Sequence, residues 1–186
     1  MNVSAWITNE GSTNIMRAAL GTLACVLLVA AAAPAQETTF RDPLLDRMTG
    51  AWVLRGTIAG QQTTHDISAE WVLGHQYLRL QEVSRERDAK GRPAYEAIVF
   101  IGWDRASSGY ACLWLDSTGG GGLAAHAIGH APRNGDAIAL VFNAGHGSLF
   151  HTTFAYDRSS DTWKWLMDGE EKGTLQPFAR VVLTRK

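Results

Sequence analysis

The stretch Val99–Thr118, VFIGWDRASSGYACLWLDST, decides the fold. Two runs rich in β-branched and aromatic residues, Val99–Trp103 and Tyr110–Leu115, flank a polar centre of Asp104, Arg105, Ser107, Ser108 and Gly109. Such a pattern is a β-hairpin: the arms suit a pleated, half-buried surface, and the short polar residues supply turn conformations and local hydrogen bonds. Large rings stand on both arms, so each arm must bury at least one face. The second arm runs through Trp114-Leu115-Asp116-Ser117 into Gly119–Gly122, whose backbone entropy predicts a mobile loop.

Upstream of the hairpin, Asp42-Pro43-Leu44-Leu45-Asp46-Arg47-Met48 predicts one short helix, with Asp42 as N-cap and Pro43 at the first helical position. Period-two alternation then recurs between turn residues. It predicts strands over Ala51–Ala59, Thr64–Leu73, His75–Arg85 and Ala94–Trp103, then Tyr110–Asp116, Leu123–Ala131 and Ala137–Asn143. Leu149–Tyr156, Thr162–Met167 and Pro177–Thr184 complete the set. Expected turns include Asn134-Gly135, Gly145-His146-Gly147, Ser159-Ser160 and Asp168-Gly169. About ten short antiparallel strands after one small helix predict an all-β, up-and-down barrel, because closure removes the exposed edges of a long meander.

The 186 residues suffice for one domain with a sizeable core, and the net charge of −1 gives no electrostatic footprint for nucleic acid or an anionic surface. Arg17, the apolar run Ala18–Ala33 and Ala33-Pro34-Ala35 read as a signal peptide cleaved after Ala35, with translation expected to start at Met16. The expected organisation is leader 1–35, a helical segment 36–49 and a barrel domain 50–186. A periplasmic or secreted product without a stable membrane anchor follows. Thr22-Leu23-Ala24 before Cys25 fits a lipid-attachment box poorly. Cleavage removes Glu10 and Arg17, preserving the net charge, and leaves Cys112 without a disulfide partner.

Gly50-x-Trp52, directly after the short helix, resembles the lipocalin and calycin pattern. That resemblance implies that Trp52 closes one barrel end with an Arg of the last strand across it, here Arg180 first and Arg185 second. Gly102-Trp103-Asp104, Tyr110 and Trp114-Leu115-Asp116-Ser117, with the terminal Leu183-Thr184-Arg185-Lys186, resemble a bacterial family of lipocalin-like domains of unknown function. The resemblance extends from about Leu44 onward. It implies a β-barrel and supplies no reaction. Trp103 stands where Tyr is more usual in that family.

Candidate functional residues cluster around the glycine loop. Trp114 and Asp116 share one face with Tyr110 and Cys112, and Trp103 adds to the aromatic load of the hairpin. An indole beside a carboxylate suits either a small-molecule site or acid–base chemistry, whereas an Asp-Ser pair also commonly caps a turn. His126 and His130 share a face if both lie on one strand, but their Cα atoms would then be ~13 Å apart at about 3.3 Å per residue, long for ligating one ion. Histidines scattered on a half-polar face are the competing reading. A single axial His for haem, as in a related family of ten-stranded barrels, is the remaining cofactor alternative, and no cofactor motif accompanies it. No P-loop, G-x-G-x-x-G, HExxH or G-x-S-x-G is present.

The aromatic load, including Trp52, Trp71, Trp103, Trp114, Trp163 and Trp165, fits either a filled core or a pocket for a small hydrophobic or aromatic molecule. The expected function is binding such a molecule at Trp114, Asp116, His126, His130, Tyr110 and Trp103, with neither cofactor nor metal. The alternatives are a barrel enzyme using His126, His130 or Asp116, a haem-binding barrel, and a filled barrel acting as an interaction module.

Overall fold

The computed structural model describes residues 40–119 and 122–186. The expected leader, and the centre of the glycine loop at Gly120-Gly121, lie outside the described residues. Among the described residues, no helix is long and apolar enough to cross a membrane.

Among the described residues, one α-helix, α1 (Pro43–Met48), precedes ten strands: β1 (Gly50–Ile58), β2 (Gln61–Val72), β3 (Tyr77–Ser84), β4 (Glu96–Asp104) and β5 (Gly109–Asp116) form the first half. β6 (Ile128–Pro132), β7 (Ala137–Gly145), β8 (Ser148–Asp157), β9 (Thr162–Glu171) and β10 (Thr174–Arg185) form the second. Each strand pairs antiparallel with the next, and β10 returns to pair with β1, closing an up-and-down barrel. Closure requires β10 to pass close to Gly56, where an added Cβ would lie 2.3 Å from the Arg180 carbonyl oxygen.

The helix seats on one end of the barrel. The Asp42 carboxylate accepts from the Leu44 and Leu45 amides at 2.8 and 3.1 Å, satisfying two of the free N–H groups at the helix start. Its other oxygen accepts from the Tyr110 hydroxyl at 2.7 Å and from Arg133 at 2.6 Å, tying α1 to β5 and to the loop after β6. Leu45 and Met48 join Trp52, Leu54, Leu78, Leu80, Ile101 and Trp163 in a close-packed core. Burial first, then the hydrogen bond to Asp42 and the charge of that carboxylate, push the Tyr110 phenol up to about 12.

The cation at the closed end is Arg185, not Arg180. The Arg185 guanidinium lies 4.1 Å from the Trp52 ring centroid, while its N–H groups donate to the Thr49 and Arg47 carbonyls and to Asp161. Arg180 pairs with Asp168 and bonds the Met167 carbonyl on the flank. The reason is register: Trp52 lies directly opposite Arg185, whereas Arg180 lies opposite Thr57.

Two further expectations give way. Asp168-Gly169 lies within β9, and the turn is Lys172-Gly173, both with positive φ. The single strand expected over Leu123–Ala131 is a 3₁₀ turn, Ala125–Ala127, followed by β6, because β6 pairs with β5 only from Leu113 downward. His126 and His130 therefore do not share a strand face: His126 sits on the turn, and His130 is exposed on β6.

Candidate functional site

Opposite α1 the barrel is hollow. A cavity of about 780 Å3 occupies this end, so the interior is not filled throughout, contrary to the interaction-module alternative. One wall is apolar, built from Ile58, Phe142, Phe150, Met167 and Phe178. A register shift between Pro177 and Ala179 leaves Phe178 outside the pairing of β10 with β9, and its ring meets Phe150 edge-on at 5.5 Å. Phe142 packs its ring where a side chain on residue 129 would stand, which only glycine permits.

The facing wall is polar and comes from β2, β3 and the loop after β3. His65 and Glu82 are 4 % and 3 % exposed, and their side chains are paired through His65 Nδ1 and Glu82 Oε1. His65 Nε2 lies 2.8 Å from the Thr63 hydroxyl. That hydroxyl donates to Glu86 Oε2 at 2.9 Å, Ser84 donates to the same oxygen at 2.6 Å, and the Thr64 amide donates to Glu86 Oε1. The hydrogen bond from Ser84, then those from the backbone and Thr63, hold the Glu86 carboxyl at about 2, so it is ionised at neutral pH.

Donor inventory fixes the tautomer. Thr63 has one hydroxyl proton and gives it to Glu86, so its oxygen must accept from His65 Nε2–H. One shared proton then lies between His65 Nδ1 and Glu82 Oε1, since two bare acceptors would repel there. Both imidazole nitrogens are thereby engaged. Glu82 Oε2 is the remaining polar atom of the pair, buried and without a hydrogen-bond partner among the described residues.

Tyr95 links this wall to β5. Its ring stacks on His65, with centroids 5.7 Å apart, and its hydroxyl accepts from Trp114 Nε1 at 3.1 Å. Burial first, then the charge of Glu82, pushes the phenol well above its ordinary range. Trp114 forms part of the cavity surface and stacks parallel to Phe154 from the core. Asp116 holds the start of the loop by accepting from the Thr118 amide at 2.8 Å, the turn-capping role, while still lining the cavity.

Of the residues expected from sequence, the fold thus brings Trp114, Asp116 and His126 to the cavity. Trp103 and Tyr110 lie at the closed end, where Trp103 stacks on Phe40 and meets the Tyr110 ring edge-on. Tyr110 and Trp114 share a face, but lying four positions apart puts them ~13 Å from each other along the strand. His130, on the outer surface, faces away from both.

Sequence reasoning passed over His65, Glu82, Ser84, Glu86 and Tyr95. The signal existed in parity: His65 shares its face with Ile67 and Ala69, and Glu82 shares its face with Leu78 and Leu80. An ionisable residue on the apolar side of an alternating strand is a buried polar group that needs a reason. Among the described residues, no three His, Cys, Asp or Glu side chains gather to hold a metal ion. Both ring nitrogens of His65 are engaged, and His126 lines the cavity at an exposed position. Comparison with protein-family models gives no match, and comparison with curated proteins gives none.

Proposed function

We propose that this barrel is a lipocalin-like binder that takes a small, largely apolar molecule into its open end. The observation that carries the reading is the hollow half itself, about 780 Å3 and faced on one side by aromatic rings, beside an end packed solid. A mostly apolar cavity with a few convergent polar groups is the usual make-up of a small-molecule site. Of the six contacts expected from sequence, Trp114, Asp116 and His126 line this cavity, with Phe142, Phe150 and Phe178 as the apolar face. Export through the segment ending at Ala33-Pro34-Ala35 belongs to the same proposal: a barrel without disulfides, held by its core, would carry a small molecule outside the cytoplasm.

The test is fluorescence titration with the neutral apolar probe N-phenyl-1-naphthylamine. Saturable enhancement with energy transfer from tryptophan is expected, and Trp114→Phe weakens binding severalfold while the domain stays folded, because Phe keeps most of the packed volume. No saturable binding by the folded parent protein overturns the reading.

A further inference from the structure

We infer that the cavity selects a protonated organic amine, whose N–H is received by Glu82 Oε2 and whose apolar body lies against the aromatic wall. This deepens the proposed function and rests on it.

Three carboxylates line the cavity, Glu82, Glu86 and Asp116, and no Arg or Lys does among the described residues. The shared proton makes the His65–Glu82 pair neutral as a unit, so Glu86 and Asp116 set the sign of the field, and it is negative. A carboxylate ligand would enter that field with no cation to meet it and would lose its hydration unpaired. An amine meets the opposite situation.

Glu82 Oε2 gives the inner anchor. It belongs to a side chain 3 % exposed, in a residue of β3 that lines the cavity, and it lacks a donor among the described residues. A buried carboxylate oxygen without a partner is costly, and a ligand N–H would remove the cost. His65 already occupies Oε1, and Thr63 holds the imidazole in turn, so the acceptor is fixed before the ligand arrives. Aromatic faces from Trp114, Phe142 and Phe150 supply both apolar burial and attraction for a cation.

The experiment compares three probes with one ring system in displacing N-phenyl-1-naphthylamine at pH 7: 2-(1-naphthyl)ethylamine, 2-(1-naphthyl)ethanol and 1-naphthylacetate. The amine is expected to bind at least tenfold more tightly than the alcohol, and the acetate at least tenfold more weakly. Glu82→Leu, which removes the Oε2 acceptor altogether, should bring amine and alcohol within threefold of each other. Should that variant fail to fold, Asp116→Asn is expected to cut the amine preference severalfold, and the ranking on the parent protein stands as its own test. An alcohol or acetate that equals the amine overturns this inference and leaves the binder reading intact. Failure of the neutral probe and all three naphthyl compounds to bind overturns the binder reading itself.

Discussion

Trp52 shows how one residue can organise an end of a barrel. Its indole N–H donates to the Met48 carbonyl at 2.7 Å, closing a helix C-terminus that would otherwise leave acceptors unpaired, and its face receives Arg185. Arg185 in turn reaches the Thr49 and Arg47 carbonyls, so helix, first strand and last strand meet at one guanidinium. Arg180, bound to Asp168 on the flank, holds no such junction. Arg185→Ala is expected to lower stability by about 1–2 kcal/mol, from the lost cation–π contact and the freed carbonyls, and Arg180→Ala by about 0.5 kcal/mol or less. Urea denaturation of the two variants checks this, and equal losses would remove the assignment.

At the scale of elements, β2 and β3 build the polar wall, and their shared ladder explains why it is ordered. His65 pairs with Ser84 in register, which brings the inward side chains of both strands beside the loop carrying Glu86. Glu86 then fastens that loop to β2 through Thr63 and the Thr64 amide. Its carboxyl titrates near 2 in the folded chain against an ordinary value of 4.5, so the folded state binds fewer protons there. The stabilisation is present above about pH 4.5 and is lost as pH falls toward 2. Glu86→Gln is therefore expected to be less stable than the parent at pH 6 and to approach it near pH 2.5. Urea midpoints across that range give the comparison; a gap that stays constant with pH would show that the carboxylate charge contributes nothing.

The described residues form a barrel with two unlike ends, one packed around α1 and one hollow. Cys112 reports on the packed part: it is fully buried on β5, and burial raises its thiol well above the ordinary range. In a Cys25→Ser variant, leaving Cys112 as the only thiol, Ellman's reagent is expected to react no faster than global unfolding allows and at full rate in denaturant. Rapid labelling of the native protein would mean that the mouth opens to the level of Cys112.

Local chemistry made the strands, the single helix, its Asp42 cap and the barrel legible in sequence, because alternation, turn residues and capping act within a few positions. The hairpin around Asp104 and the packing role of Trp52 belong to the same class. Depth along the barrel axis is different. Parity shows that Tyr110, Cys112, Trp114 and Asp116 share a face, but not that the first closes one end while the last lies at the opposite mouth. Pairing across distant segments is likewise a tertiary matter: His65 meets Glu82 seventeen residues on, and Arg185 meets Trp52 only because β10 returns to β1. The sequence alone therefore determined a closed antiparallel barrel with a capped helix. The cavity and its polar wall were decided by strand register and closure, which set the depth of every inward side chain and which buried carboxylate oxygen has no donor among the described residues.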